Sequence, residues 1–344
     1  MEYPKTLERD GKMTARIAIN GFGRIGRGVL RAILDQGSDL DIVAVNDLGD
    51  GAALAQLSNF DSVYGRAKER MRFEGDFLVV GDRKIKILAE REPAQLPWGE
   101  LGVDVVVEST GRFTKAKDAA QHLEAGAKRV LVSAPSKGAD VTLAYGVNTG
   151  AYDPENHRII SSASCTTNAL APIAQVLNDF AGIEQGFMMT AHAYTGDQSL
   201  VDGPHKDPRR ARAAAINIVP SSTGAAKAIG LVLPELDGKL QGDALRVPVP
   251  VGSIVELTVI VKREVTREEL LAAFKEAAEG RLKGVLLYSE DPLVSSDIVA
   301  DPHSSIFDSG LARVDGKLVK ISAWYDNEWG FSNRVAETLV FLTK

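Results

Sequence analysis

The chain has 344 residues, of which 44% are hydrophobic and 25% are charged, and its formal net charge at pH 7 is −6. This length allows two domains with separate cores, and the negative charge excludes a general attraction to nucleic acid or to anionic membranes. No apolar run reaches the roughly 18 residues that span a bilayer, the N-terminus has no apolar leader, and a single cysteine excludes an internal disulfide, so we expect a cytoplasmic protein.

The first half of the chain alternates strand-like and helical patterns, after a polar segment, residues 1–12, that we expect to be a tail or an extension. The strand predicted at Arg16–Asn20 (RIAIN) leads into the turn GFGRIG, and a helix with one apolar stripe follows. Further strands are predicted at IVAVND, VDVVVESTG and RVLVSAP, and a helix is predicted over residues 117–127. Strands that alternate with helices indicate an α/β domain with a Rossmann-type, doubly wound parallel sheet.

The second half of the chain has longer strand-like patterns. Strands are predicted within residues 247–263 and 317–328. Thr266 and Glu269 form a capping box before a helix that ends at Gly280. The last segment is again helical and is expected to pack on the first domain. These patterns indicate a second, α+β domain with a mostly antiparallel sheet.

Three glycines after the first predicted strand, Gly21, Gly23 and Gly26, form a GxGxxG pattern. The first permits a tight turn, the second lets the backbone approach a pyrophosphate, and the third lets the helix pack closely on the strand. The amide groups at the helix start, among them those of Arg24 and Ile25, are placed to bind phosphate. The pattern therefore predicts a dinucleotide-binding turn.

The next strand ends in Asp47, about 20 residues after the turn. A carboxylate at this place binds both ribose hydroxyls of NAD and repels the extra phosphate of NADP. The alternative is a plain glycine turn with an aspartate on the surface. The motif names a ligand and not a reaction.

The only cysteine, Cys165, stands between a strand-like segment and a helical one, so it is predicted to lie at a helix start. The helix dipole at that place lowers the pKa of a thiol, and the neighbouring Ser, Thr, Thr and Asn are typical of a polar site. The alternative is a buried, inert cysteine. A catalytic thiolate needs a base.

Five histidines could supply that base. His192 ends an apolar strand, where α/β folds place site residues, and it is the candidate, with a hydrogen-bonded core histidine as the alternative. His122 lies in the predicted helix over residues 117–127 and is expected at the surface or its boundary. The loops around His157, His205 and His303 are expected to be solvated.

Three segments of the second half could bind anions. The basic run at residues 203–213 is one, with a solvated loop or a subunit contact as the alternative. Thr223 and Gly224 precede a helix and resemble an anion nest, and Arg246 is predicted at the start of a strand, where its guanidinium could grip a phosphate. Together they predict a site for phosphorylated small molecules. No cluster in the sequence has the spacing of metal ligands.

Seven motifs, in order from about Arg16 to the C-terminus, resemble those of phosphorylating glyceraldehyde-3-phosphate dehydrogenases: NGFGRIGR, SASCTTN, AHAYTGDQ, RRARAA, STGAAKA, LRVPVP and WYDNEWGFSNR. The resemblance implies a homotetramer that oxidises glyceraldehyde 3-phosphate with NAD and inorganic phosphate to 1,3-bisphosphoglycerate, through a cysteine hemithioacetal and a thioester. It also implies an NAD-binding Rossmann domain at residues 13–164 with 328–344, and a catalytic domain at residues 165–327.

Roles are carried over by motif from this resemblance. Cys165 would be the nucleophile and His192, 27 residues further on, the activating base. The residues that match cofactor contacts are Gly21, Gly23, Arg24, Ile25, Asp47, Arg91, Ser133 and Asn327. The residues that match one phosphate site are Ser164, Thr166, Thr223 and Gly224. Those that match the other are Thr195 and Arg246, supported by Arg210 and Asp197. No metal is implied.

Two positions depart from the family's pattern. Gly203 stands where many strictly NAD-linked relatives carry leucine, so we expect a preference for NAD with some tolerance of NADP. Phe331 replaces a common tyrosine, which we expect to change packing only slightly. The alternatives are erythrose-4-phosphate dehydrogenase, a non-phosphorylating aldehyde dehydrogenase or thiol hydrolase, and a dinucleotide-binding regulator without catalysis.

Overall fold

A computed structural model describes residues 8–9 and 12–344 of the chain. The expected tail, residues 1–12, falls largely outside the described residues; within it, strand β1 (Glu8–Arg9) pairs antiparallel with β2 (Lys12–Met13). The chain divides into two compact units. Unit 1 comprises Met1–Leu143, Gly150–Ala163 and Ser332–Lys344, and unit 2 comprises Ala144–Thr149 and Ser164–Phe331.

The described part of unit 1 contains a sheet of nine strands. In chain order they are β3 (Arg16–Asn20), β4 (Asp41–Asn46), β7 (Met71–Glu74), β8 (Phe77–Val80), β9 (Arg83–Leu88), β10 (Val105–Glu108), β11 (Arg129–Val132), β12 (Val141–Thr142) and β13 (Ile159–Ser161), while β5 (Phe60–Asp61) and β6 (Gly65–Arg66) form a separate hairpin. The spatial order is β12-β13-β11-β10-β3-β4-β9-β8-β7, parallel as far as β9 and antiparallel in the last two pairings.

Four helices lie wholly in the described part of unit 1: α1 (Arg24–Asp35), α2 (Gly51–Asn59), α3 (Ala116–Ala119) and α4 (Gln121–Glu124). A short 3-10 turn occurs at Pro93–Gln95, and another, Thr149–Ala151, contains residues of both units. The helix predicted over residues 117–127 is therefore two short helices that meet at Ala120. The central strands β3, β10 and β11 carry almost only buried residues, as a sheet covered on both faces requires.

Unit 2, all of whose residues are described, contains a sheet of eight strands. They are β14 (Ile183–Ala193), β15 (Val219–Ser222), β16 (Leu240–Val247), β17 (Ser253–Val261), β18 (Leu286–Ser289), β19 (Ser305–Asp308), β20 (Arg313–Asp315) and β21 (Leu318–Tyr325). The spatial order is β15-β16-β14-β17-β21-β19-β18, with β20 beside β21. Only β14–β16 and β18–β19 pair in parallel, so the prediction of a mostly antiparallel sheet is confirmed.

Three helices lie wholly in unit 2: α5 (Cys165–Ala181), α6 (Ala225–Val232) and α7 (Arg267–Glu279). Short 3-10 turns occur at Ala214–Ile216, Pro234–Leu236 and Ser309–Leu311. The predicted capping box is present, because Thr266 and Glu269 each accept from the other's backbone amide. The apolar residues of α5, which is buried on all sides from Thr166 to Ala174, pack with α6, α7 and the sheet into a single core. The last helix, α8 (Trp329–Leu342), contains residues of both units.

The prediction that Arg246 starts a strand is wrong. It is the penultimate residue of β16. The segment after it contains Pro248 and Pro250, which have no amide hydrogen for a ladder. The strand predicted within residues 247–263 is consequently confined to β17. None of the helices in the described part of the chain combines the length and apolar character that a bilayer crossing needs.

Candidate active site

Cys165 is the first residue of α5, the position that the sequence predicts. Ser164 caps the helix, since its hydroxyl accepts a hydrogen bond from the amide of Thr167 at 3.1 Å. The Sγ atom of Cys165 lies 3.3 Å from Nε2 of His192. The thiol and the imidazole chosen from the sequence are therefore in direct contact within unit 2.

The tautomer of His192 follows from its second nitrogen. Nδ1 lies 2.7 Å from the carbonyl oxygen of Ala193, and because a carbonyl can only accept, Nδ1 carries the hydrogen. In a neutral ring the lone pair is then on Nε2, the atom that faces Sγ. His192 is only 5% exposed. The ring is thus held ready to accept a proton from the thiol.

Arg246 lies directly beside His192, because β14 and β16 run parallel with these two residues in register. Its Nη1 atom is 3.3 Å from Nδ1 of the ring and donates to the hydroxyl of Thr195 at 2.8 Å. Burial, followed by this positive charge, lowers the pKa of His192 to about 4. The imidazole is therefore neutral at physiological pH.

The thiol pKa differs from the expectation based on the helix start. Burial raises the pKa of Cys165 above its usual value, although the charge of Arg246 and hydrogen bonds at Thr166 act in the opposite direction. Burial outweighs the favourable end of α5 because it removes water from the charged form. The thiol therefore depends on a nearby base to lose its proton.

Four of the predicted phosphate-site residues form one connected cluster next to His192. Asp197 accepts hydrogen bonds from the Thr195 hydroxyl and from the Arg210 guanidinium. Arg246 joins this group through Thr195. Arg210 also lies 3.8 Å from the carboxylate of Asp207, so the cluster combines two guanidinium groups with two carboxylates. The guanidinium groups of Arg210 and Arg246 are the donors that could bind an anion here.

The other predicted phosphate-site residues are near the thiol or at the next helix start. Thr166 is buried, and its hydroxyl is bonded to Tyr325 at 3.0 Å, so any anion contact there would use its backbone amide. Gly224 caps α6, and the hydroxyl of Thr223 accepts from the amide of Ala225. Arg210 reaches toward this turn through the carbonyl oxygen of Ser222, the residue before Thr223.

Tyr325 is a site residue that the sequence reasoning missed. The hydroxyl of Thr190 donates its hydrogen to the carbonyl oxygen of Ile254, so it can only accept from Tyr325. The phenol of Tyr325 therefore donates to Thr190 at 2.8 Å. The same phenol oxygen accepts from the hydroxyl of Thr166. The edge of its ring also meets His192, with ring centroids 5.9 Å apart. Tyr325 supports both the helix turn of Cys165 and the base, and burial raises the pKa of its phenol.

In unit 1, the predicted dinucleotide turn borders a cavity of about 630 Å³. Gly21 has a left-handed φ of +91°, and a Cβ there would lie 2.5 Å from the amide nitrogen of Thr110. A Cβ on Gly23 would meet nothing within 4 Å, so the backbone at that position is open to a ligand. Asp47 and Arg91 line the same cavity. These residues fit the diphosphate and ribose of a dinucleotide.

The remaining cofactor candidates are distributed over both units. Arg24 begins α1, and its side chain forms an ion pair with Asp61 at 3.0 Å. Its backbone amide and that of Ile25 belong to the first turn of the helix, where amides have no partner within the helix. Ser133 follows β11 and donates to the carbonyl oxygen of Glu108. Asn327 belongs to unit 2, is buried, and accepts from the amide of Gly252 and the hydroxyl of Ser253.

The expectation that His122 lies at the surface is wrong. Its side chain is fully buried, donates from Nε2 to Glu108 and accepts at Nδ1 from the indole of Trp98. The helix pattern did not reveal this, because the partners come from a strand and a loop elsewhere in the chain. His205 is exposed, and His157 and His303 are half-buried.

Comparisons with known proteins agree on one family. A family model described as "Glyceraldehyde 3-phosphate dehydrogenase, C-terminal domain" matches residues 164–327, and one described as "Glyceraldehyde 3-phosphate dehydrogenase, NAD binding domain" matches residues 15–116. A glyceraldehyde-3-phosphate dehydrogenase of Kitasatospora aureofaciens is 69% identical over 95% of this chain and 98% of its own length. Proteins of the same name from Mycobacterium bovis and Streptomyces coelicolor are 60% and 58% identical, each over 96% of this chain and 99% of their own.

Proposed function

This chain belongs to the glyceraldehyde-3-phosphate dehydrogenase family, and from that premise we propose how its residues carry out the reaction. The chain is an NAD-dependent enzyme of glycolysis that oxidises glyceraldehyde 3-phosphate with uptake of phosphate. The observation that carries the proposed mechanism is the 3.3 Å contact between the Cys165 sulfur and the basic nitrogen of His192 at the start of a long helix.

Most of the residues that we assign to the cofactor belong to unit 1. The backbone around Gly21 and Gly23 and the first amides of α1, at Arg24 and Ile25, would receive its diphosphate. Asp47 would bind a ribose, and we assign the remaining contacts to Arg91, Ser133 and Asn327. NAD supplies an acceptor for the hydride that leaves the substrate carbon. The observed open face at Gly23 supports this assignment.

Cys165 begins the chemistry as its proton moves to Nε2 of His192. The thiolate adds to the aldehyde carbon, a C–S bond forms, and the new alkoxide takes the proton back to give a hemithioacetal. His192 then removes the hydroxyl proton while the carbon is oxidised, which leaves a thioester. The backbone amide of Cys165 and the His192 ring are the donors that would stabilise the oxyanion in both steps.

Phosphate completes the reaction by attack on the thioester carbon. A C–O bond forms as the attacking phosphate releases its proton to solvent, the C–S bond breaks, and Cys165 leaves as a thiolate that recovers its proton from His192. The product is 1,3-bisphosphoglycerate. Two anion sites are needed, one for the phosphate of the substrate and one for the phosphate that attacks. We assign Thr195, Asp197, Arg210 and Arg246 to one site and Ser164, Thr166, Thr223 and Gly224 to the other.

We also infer a homotetramer in the cytoplasm, with residues 194–217 at a subunit contact. Several apolar side chains in this loop support the inference, because Leu200, Ile216 and Val201 are 82%, 80% and 71% exposed. Exposed apolar groups of this size are typical of surfaces that associate. We propose the two sequence-based domains, residues 13–164 with 328–344 and residues 165–327, as the NAD-binding and catalytic domains, with some tolerance of NADP through Gly203.

The test is NADH formation from glyceraldehyde 3-phosphate, with and without inorganic phosphate, for the unaltered chain, Cys165→Ser and His192→Asn. We expect sustained turnover only with phosphate, a loss of about 10³-fold or more in Cys165→Ser with NAD binding retained, and a loss of about 10²- to 10⁴-fold in His192→Asn. Alkylation by iodoacetamide reports on the only cysteine and should slow in His192→Asn.

Three results would contradict the proposal. Sustained turnover without phosphate would favour a non-phosphorylating dehydrogenase. Activity that survives Cys165→Ser would remove the nucleophile from its role. A faster reaction with erythrose 4-phosphate than with glyceraldehyde 3-phosphate would favour the alternative substrate.

A further inference from the structure

A largely buried polar cluster lies behind the dinucleotide turn of unit 1. Its centre is the carboxylate of Glu108 at the end of β10, which is 1% exposed. Oε2 accepts from Nδ2 of Asn20 at 2.6 Å and from His122 at 3.0 Å. Oε1 accepts from the amide and the hydroxyl of Thr110. All four groups that face the carboxylate are donors.

The direction of these hydrogen bonds is fixed from the core outward. The indole of Trp98 can only donate, so Nδ1 of His122 accepts its hydrogen at 3.0 Å. The neutral ring must then carry its own hydrogen on Nε2, which donates to Glu108. Trp98 and His122 are both fully buried. The cluster therefore requires an acceptor with no hydrogen of its own at position 108.

Glu108 connects three sides of the dinucleotide cavity. Thr110 belongs to the loop on which the Gly21 turn rests, and the neighbouring Ser109 donates to the carbonyl oxygen of Gly21 at 2.7 Å. Asn20 immediately precedes that turn and accepts at Oδ1 from Asn46 at 2.7 Å.

Asn46 continues the connection to the ribose edge of the cavity. It precedes Asp47 and exchanges two hydrogen bonds with the backbone of Glu90, the residue before Arg91. Asn20, Asn46, Glu90 and Thr110 all line the cavity. The carboxylate itself lies behind this lining, so its effect on a ligand must pass through these neighbours.

We propose that Glu108 is a positioning residue for NAD, which fixes the glycine turn, the Ser109–Thr110 loop and the Asp47 edge in the geometry that binds the dinucleotide. The inference rests on the proposed function only for the identity of the cofactor. A buried network of this kind is effective when every member is paired, since one mismatched group leaves its neighbours without partners.

The chain offers a swap that tests this pairing. In Glu108→Gln, either orientation of the amide sets its NH2 group against two donors. In the double variant with Asn20→Asp, the new carboxylate can accept from Gln at position 108, from Asn46 and from His122, whose Nε2 already lies 3.4 Å from the Asn20 amide. The swap keeps the net charge and gives the new glutamine amide an acceptor at position 20, while its second amide hydrogen still faces His122.

The experiment measures the Kd of NAD by fluorescence quenching, and kcat and KM for NAD, in the full chain. We expect Glu108→Gln to raise Kd and KM by about tenfold or more while kcat at saturating NAD changes less than about threefold, and we expect the swap to recover most of the loss. Asp104→Asn is the matched control, because Asp104 accepts a backbone hydrogen bond at the opposite end of the same strand. Its Kd should equal that of the unaltered chain.

Thermal unfolding shows whether each variant is folded, and Kd values are compared among folded variants only. Should Glu108→Gln not fold, Thr110→Val removes the hydroxyl donor and should raise Kd by about threefold. An unchanged Kd of NAD in folded Glu108→Gln, or in folded Thr110→Val, would overturn the proposal. So would a double variant whose Kd is as high as that of Glu108→Gln alone. A failure of the proposed function would be recognised separately, because the unaltered chain would then bind NAD but form no NADH from glyceraldehyde 3-phosphate.

Discussion

A guanidinium nitrogen of Arg246 lies 3.3 Å from Nδ1 of His192, although the two residues are 54 positions apart in the sequence. The contact exists because strands β14 and β16 run parallel with these residues opposite each other. It places a permanent positive charge beside the proposed base and the thiol. The charge therefore affects two proton affinities at once.

Arg246→Gln should raise the pKa of both His192 and Cys165, because the guanidinium lowers both. It should also raise KM for glyceraldehyde 3-phosphate or for phosphate by about tenfold or more, since a charged hydrogen-bond donor is lost. The pH dependence of iodoacetamide alkylation and steady-state kinetics measure the two effects. Compared with Arg246→Gln, Arg246→Lys should restore the pH dependence of alkylation more fully than it restores KM, because lysine keeps the charge but not the guanidinium geometry. A profile in Arg246→Gln that matches the unaltered chain would contradict this electrostatic role.

His192 should make the folded state sensitive to mild acid. Its pKa is lowered to about 4 from 6.5, so between these values the unfolded chain binds more protons and stability falls as pH decreases. At pH 5 this single group accounts for about 2 kcal/mol of lost unfolding free energy, and above pH 6.5 its contribution is fully present.

The comparison that isolates this effect is the fall in Tm between pH 7 and pH 5, measured for the unaltered chain and for His192→Gln. We expect a smaller fall in the variant, because glutamine does not titrate in this range. His205→Gln is the matched control, since His205 is exposed and should leave the fall unchanged. Equal falls in all three proteins would show that His192 is not the responsible group.

Tyr325→Phe should lower kcat by about tenfold or more, because Thr166, next to Cys165, and Thr190, two residues before His192, both lose their phenol partner. Thr190 keeps its hydrogen bond to the carbonyl oxygen of Ile254, so the buried hydroxyl that loses its acceptor is that of Thr166. This loss should lower the unfolding free energy by about 1–3 kcal/mol. Steady-state rates and iodoacetamide alkylation measure the effect on the site. In Tyr288→Phe, a half-buried tyrosine of the same unit, both should be unchanged. A lower Tm with normal kcat and alkylation would limit Tyr325 to a structural role.

Asp47→Asn should reduce the preference for NAD over NADP by about tenfold or more, as a ratio of kcat/KM values, because it removes the charge that repels the extra phosphate. NAD binding should weaken as well, since the carboxylate also accepts from the amides of Phe22 and Gly49 beside the glycine turn. Asp50→Asn is the control, because Asp50 is an exposed acid that caps α2. If the ratio of kcat/KM values for NAD and NADP is unchanged in Asp47→Asn, residues other than Asp47 determine the preference.

Local patterns in the sequence predicted the secondary structure closely wherever the governing interactions are local. The strand β3 has the predicted bounds, and the capping box of α7 is present, because apolar alternation and helix caps act over a few residues. The helix predicted over residues 117–127 failed as one element, and the two prolines after Arg246 moved that residue to the end of its strand. The second difference has a local cause, because Pro248 and Pro250 have no amide hydrogen with which to continue a strand.

The sequence by itself determined the family, the cofactor-binding turn and the position of the single thiol at a helix start, because short motifs and caps carry that information. Only the tertiary structure decided which partners those residues have. The register of β14 and β16 brings Arg246 against His192, β21 carries Tyr325 to Thr166, and packing in unit 1 buries His122 on Glu108. These pairs are separated by 14 to 159 residues, and no local pattern fixes such contacts, because they form only when strands and helices pack together.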